Sequence, residues 1–225
     1  MAETRGVLLP AYVVADESAS MGPHQQQLAE GLSSLCEGLR AEPMIAAKIR
    51  LAILGFSGDV QLRQPLSDMR SVEVLPRLES RGATMYGEVF RDLRGRIPHD
   101  LASLKQEQYG VHRPVVFFLS DGQPSDGRTW QDAHRALTDR NQMPAAPNII
   151  ACGIGDARPD TMVAVATRPE FAFVSVKGTD VGKAISEFFH ALTASLVASG
   201  RALANGQPEL VVNRPDQFTL AIDEV

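Results

Sequence analysis

Tyr12-Val13-Val14-Ala15-Asp16-Glu17-Ser18-Ala19-Ser20 decides how this chain is read. Its first four residues close an apolar, β-branched run that begins at Val7, short enough for a central strand. One carboxylate and two hydroxyls, each two residues from the next, then leave the strand end together. Oxygen-only donors in that spacing suit a hard divalent cation, Mg²⁺ first, with Mn²⁺ or Ca²⁺ as alternatives; a thiolate site would need other residues. Two further oxygen donors, Thr84 and Asp121, fall at junctions of the same kind, where a strand meets a loop or a loop meets a helix.

Outward from that stretch, strand-like and helix-like segments alternate. Leu28, Leu32, Leu35, Cys36 and Leu39 follow Pro23 at helical spacing, with the proline at a first-turn position. Lys48–Ser57 reads as a strand, Gly58-Asp59 as a tight hairpin turn, and Val60–Pro65 as the antiparallel return. A helix is expected from Thr84 to about Leu104, distorted or split at Pro98. Pro114–Ser120 is a continuous apolar run, as in a parallel strand covered on both faces. Further elements are expected as a helix at Trp130–Asn141, a strand at Asn148–Gly153, a helix at Asp160–Ala166, a strand at Phe171–Val176 and a helix at Val181–Ser199. This order predicts an α/β fold: a doubly wound, mostly parallel central sheet with one antiparallel edge strand and helices on both faces. Residues 1–200 are expected to form one domain and 201–225 an extended C-terminal tail that packs on it or pairs with an edge. Ligands of such sheets sit outside the carboxyl ends of the strands, where Asp16 and Asp121 fall.

The 225 residues are enough for one well-buried domain, and 44% hydrophobic with 22% charged residues is ordinary for a soluble one. A formal net charge of −5 weighs against nucleic acid or an anionic membrane as the main partner. No apolar stretch reaches the roughly 18 residues of a membrane span. The N-terminus does not read as a secretory signal, and Cys36 and Cys152 read as free buried thiols, so a cytoplasmic location is expected.

Asp16-x-Ser18-x-Ser20, Thr84 within Gly82-Ala83-Thr84, and Ser120-Asp121-Gly122 together resemble the metal-ion-dependent adhesion site of von Willebrand factor A domains. The match runs over residues 7–199 in the expected order. Leu9-Pro10, the run Leu119-Ser120-Asp121-Gly122-Gln123-Pro124-Ser125-Asp126, and Ile149-Ile150-Ala151-Cys152-Gly153-Ile154-Gly155-Asp156 are similar to a bacterial cytoplasmic branch associated with tellurium resistance and stress. The resemblance implies a non-enzymatic adaptor whose metal captures an Asp or Glu carboxylate of a protein partner, in that branch alongside kinase and phosphatase partners. It also implies Asp16, Ser18, Ser20, Thr84 and Asp121 as the metal-holding residues. Two positions depart from the pattern: Ala19 stands where the family often has Gly, and Glu17 where it commonly has an uncharged residue.

Plainer readings compete at each position. Asp16, Ser18 and Ser20 alone read as caps of the helix near Pro23, Thr84 doubles as an N-cap, and Asp121 as a turn residue. Glu17 is expected at the solvated rim, Ser120 as a structural hydroxyl, and Asp126 in a loop turn. Met85 and Tyr86 divide between contact surface and packing under the loop. The five histidines have no paired ligand spacing. Two other functions remain open: a metal-dependent phosphatase using Asp16 or Asp121, and a subunit that docks on an AAA+ ATPase. No lysine lies near the three motifs, which weighs against phosphoryl chemistry. The acidic end Asp223-Glu224 raises a further expectation, that the tail occupies the open metal position of its own or a neighbouring molecule.

Overall fold

Val7–Asp16 (β1) is buried at every position after Val7. A strand so apolar must be covered on both faces, and β1 lies mid-sheet between Ile49–Phe56 (β2) and Val115–Ser120 (β5). The structure, a computed structural model, describes residues 4–207 and 209–223. The other strands are Val60–Ser67 (β3), Gly110–Val111 (β4), Asn148–Gly153 (β6), Ala172–Ser175 (β7) and Phe218–Leu220 (β8). The helices are Gln25–Arg40 (α1), Pro43–Ala46 (α2), Tyr86–Gln106 (α3), Trp130–Thr138 (α4), Pro159–Val165 (α5) and Val181–Ala204 (α6).

The sheet order is β3-β2-β1-β5-β6-β7-β8, with β4 beside the start of β1. Strands β2, β1, β5, β6 and β7 run parallel, and β3 returns antiparallel on β2 through the expected hairpin. The expected doubly wound, mostly parallel sheet is therefore the one the chain forms. The path goes from β1 out to β2, then comes back to β5 on the other side of β1. Strand order thus reverses between β1 and β5, and a crevice opens at their carboxyl ends.

Alternation along β5 assigns the faces. Phe118 stacks with Phe56 and Phe90 and meets Tyr86 edge-on, so α3 covers that side. Phe117 points the other way, into a lining shared with Ile150, Phe173 and the α6 residues Phe188 and Leu192. There α1 packs so closely on α6 that a Cβ at Gly31 would stand 2.1 Å from the Phe189 ring.

Two local expectations give way. Pro98 neither splits nor ends α3. It stands on the solvent face with Arg94, whose carbonyl loses its amide partner to the proline, so water can take that partner's place. The last helix continues past Ser199 to Ala204. Beyond it the chain is anchored: Ser199 Oγ accepts from Val211 N at 2.9 Å, and Ser195 Oγ accepts from Asn213 N at 2.9 Å. Strand β8 then adds an antiparallel edge to β7, with Ser175 opposite Phe218 and Phe173 opposite Leu220. That direction carries Ala221–Asp223 toward the amino ends of the parallel strands, away from Asp16 and Asp121. The end of the described chain therefore does not reach its own strand-end site; Glu224 lies outside the described residues.

Candidate metal centre

Where β1 and β5 end side by side, Asp16 and Ser120 come together. Ala15 pairs with Leu119, so the next residues meet across the crevice. Ser120 Oγ donates to Asp16 Oδ2 at 2.5 Å, and the Ser18 amide donates to Asp16 Oδ1 at 2.8 Å. The serine hydroxyl thus orients the Asp16 carboxylate. Asp16 itself is fully buried.

From this floor the donors climb toward solvent. Ser18 Oγ lies 3.0 Å from Ser20 Oγ, and Ser20 Oγ donates to Asp121 Oδ1 at 2.9 Å. Ser18 is buried, Asp121 half-buried and Ser20 exposed, so the cluster opens on one side. Thr84 comes from the segment between β3 and α3. Its carbonyl accepts from Ser125 N at 2.8 Å and its amide donates to Ser125 Oγ at 3.3 Å, which ties it to the loop carrying Asp121. Its hydroxyl points at the same loop, 3.9 Å from where a Cβ would stand on Gly122. All five residues singled out by pattern therefore converge on one crevice.

The capping reading fails in this geometry. A 3₁₀ turn, Ala19–His24, intervenes before α1, and neither element has a side-chain cap. Helix α3 begins at Tyr86 with Met85 as its cap residue, again without a side-chain bond, so Thr84 is not an N-cap. The amide that Thr84 was expected to satisfy is taken elsewhere: Asp126 accepts from Gly87 N at 2.7 Å. Tyr86 is packing, not surface. It is buried in a cluster with Phe56, Phe90, Phe118 and Trp130, and its hydroxyl donates to Gly122 O at 3.1 Å.

Burial raises the pKa of both carboxyls of the crevice. Burial pushes the Asp16 carboxyl up to about 6; hydrogen bonds from Ser120 and Ser18 offset only part of this, and the charge of Asp121 adds to it. Asp121 is likewise raised by burial, partly offset by the bond from Ser20. The hydrogen bonds to Asp16 come from neutral donors. A divalent cation fits this donor set, because hydroxyls and two carboxylates are hard oxygen ligands; around Asp121 the charge of His24 lowers the pKa and that of Asp156 raises it. Among the described residues there is no group of three or more His, Cys, Asp or Glu that could hold a metal, so hydroxyls would carry a large share of the coordination.

Glu17, expected at the solvated rim, is 1% exposed. Arg63 grips it with both arms of the guanidinium, Nε to Oε1 at 2.9 Å and Nη2 to Oε2 at 3.0 Å. Arg81 Nε reaches Oε2 at 2.9 Å, and the Glu79 amide reaches Oε1 at 2.9 Å. The backbone adds Arg81 N to Glu17 O at 2.6 Å and Ala19 N to Gly82 O at 3.1 Å. Glu17 thereby binds the loop holding Ser18 and Ser20 to the segment that delivers Thr84. Sequence reasoning missed this clamp, although one signal was present. Gly55 interrupts the interior of β2, and a Cβ there would stand 2.2 Å from Glu17 Cδ.

Residues 12–188 match the profile of the von Willebrand factor type A domain. The chain belongs to that family. Solved A-domain structures share the fold at low identity. Proximal thread matrix protein 1 from the mussel byssus, in a form with zinc in its metal-ion-dependent adhesion site, superposes with a TM-score of 0.59 at 17% identity, over 87% of this chain and 49% of that one. The pilus adhesin SpaC of Lactobacillus rhamnosus GG, in its open conformation, gives 0.62 at 10% identity over 87% and 30%. A von Willebrand factor type A protein from Catenulispora acidiphila gives 0.56 at 18% identity over 84% and 43%. This A domain therefore spans half or less of each of these chains. No curated protein is a significant sequence match. No helix among the described residues is long and apolar enough to cross a membrane.

Proposed function

We propose that this A domain is a protein-interaction module whose docking point is a divalent cation, Mg²⁺ first, held by Asp16, Ser18, Ser20, Thr84 and Asp121. The observation that carries the reading is Asp16: a fully buried carboxylate, bonded to neutral donors only, at the base of three converging hydroxyls that cap nothing. Bound there, the cation supplies a residual positive charge, because most of its protein ligands are neutral, and that charge favours an Asp or Glu carboxylate from outside. The remaining work belongs to the chain. Ser120 and the Ser18 amide hold Asp16 in one orientation, and the Glu17 clamp keeps the Thr84 segment against the serine loop. Ser20 and Asp121, on the open side, stand where a partner arrives.

A phosphatase reading has less support. Phosphoryl chemistry calls for a lysine or arginine aimed at the transferred group. Arg63 and Arg81, beside the serine loop, are committed to Glu17. Within the family, the runs at Leu119–Asp126 and Ile149–Asp156 favour the bacterial, tellurium-resistance-associated branch, with a cytoplasmic setting and kinase or phosphatase partners. Docking on an AAA+ ATPase is the other interaction the same face would serve. Capture of a partner by the immobilised chain, compared in Mg²⁺ and in EDTA and with Asp16→Ala, tests the proposal. Capture that requires both metal and Asp16 supports it; capture indifferent to both refutes it.

A further inference from the structure

At the amino ends of the parallel strands, opposite the cation site, lies an open cavity of about 370 Å³. The six residues of β5, at about 3.3 Å each, separate the two ends by about 20 Å. Three guanidiniums line it, from Arg113 ahead of β5, Arg140 after α4, and Arg168 ahead of β7. Two of them are held in place. Arg113 Nη1 donates to Ala146 O at 2.6 Å, and Arg168 lies 5.4 Å over the ring of Phe171. Among the described residues Glu209 is the carboxylate of the lining and Glu170 pairs with Arg168 at 3.7 Å, so three arginines less two glutamates leave a surplus of one positive charge in a chain whose formal net charge is −5.

The arginines stand close enough to oppose one another: burial and the charge of Arg140 both lower the Arg113 pKa. An anion would relieve both costs. Beside them Asn148, the first residue of β6, is buried, and its side-chain carbonyl oxygen has no hydrogen-bond partner. That oxygen accepts and does not donate, so it calls for a hydroxyl or amine on the incoming molecule. The volume is that of a small-molecule site.

We propose that this cavity binds a phosphate ester of a hydroxylated small molecule, of the sugar-phosphate class. Arg113, Arg140 and Arg168 take the phosphate oxygens, and Asn148 accepts from a hydroxyl. Three planar guanidiniums match the three terminal oxygens of a phosphate ester better than the two of a carboxylate. The site stands apart from the cation site and does not depend on its function.

Calorimetric titration of the full chain with ribose 5-phosphate and with inorganic phosphate, at low salt and in EDTA, tests the assignment. Saturable binding of both is expected, with ribose 5-phosphate the tighter. The double variant Arg140→Ala/Arg168→Ala, at two exposed side chains, weakens both by at least about tenfold. Asn148→Ala weakens ribose 5-phosphate and leaves inorganic phosphate unchanged, while Asp16→Ala leaves both unchanged. An absence of saturable binding, or equal affinity in the double arginine variant, overturns the proposal. Loss of binding in Asp16→Ala overturns it as well, by placing the anion at the other end of the sheet.

Discussion

Asp16 and Glu17 are adjacent carboxylates, both buried at the end of β1, and the fold treats them in opposite ways. Glu17 turns toward β2 and β3 and meets two guanidiniums and an amide. Asp16 turns toward β5 and meets one hydroxyl and one amide, both neutral donors. The chain has cations to spend on a buried carboxylate one residue away. On the proposed function, the charge at Asp16 is left for an outside cation, while the charge at Glu17 is balanced within the fold and ties together the loops that surround it.

The largest expected break in this comparison comes from Glu17→Ala. It leaves Arg63 and Arg81 without their shared partner and costs about 3–5 kcal/mol, read by urea unfolding. An unchanged midpoint would mean that the clamp contributes nothing. Asp16→Asn has the opposite sign in metal-free protein. A carboxyl raised from 3.8 to about 6 binds its proton more tightly folded than unfolded, so stability is full below pH 3.8 and is lost as pH rises through 6. At pH 7 in EDTA the asparagine variant is therefore the more stable by about 1–3 kcal/mol, and the gap closes by about pH 4. Saturating Mg²⁺ narrows the gap at pH 7 by stabilising the wild type alone.

Gly55→Ala probes the space rather than the charge. Its Cβ would displace Glu17, at a cost of about 1–3 kcal/mol in unfolding free energy. Ser20→Ala has the smallest effect on the fold. An exposed hydroxyl at the mouth of the site leaves stability within about 0.5 kcal/mol. It lowers cation affinity by about tenfold, equivalent to about 1.4 kcal/mol, measured by Mn²⁺ titration.

These contrasts also mark what was legible in the sequence. The sheet could be read because its parallel strands are predominantly apolar runs, and the crevice because chain order places β1 and β5 side by side. Asp16, Ser18, Ser20 and Asp121 were readable because they stand at or just past the end of such a strand, and Thr84 because it stands just ahead of a helix. The Glu17 clamp was not: its arginines lie 46 and 64 residues away, on segments whose mutual approach depends on the hairpin and the loop after it. Thr84 passed for a cap because spacing alone cannot tell a helix starting at Thr84 from one starting at Tyr86. In the tail, two apolar pieces were visible. Their anchor was not, because Ser195 and Ser199 look like ordinary small residues of an amphipathic helix until Asn213 and Val211 are bonded to them.

The central claim is that Asp16 is kept unpaired for a cation, and direct stoichiometry tests it. The full chain and its Asp16→Asn variant are titrated with Mn²⁺ at pH 7 while free ion is followed by electron paramagnetic resonance. One Mn²⁺ per chain, displaced by Mg²⁺, with none retained by a variant whose circular dichroism is native, is the predicted result. No bound ion in the wild type, or the same stoichiometry in both proteins, would contradict it.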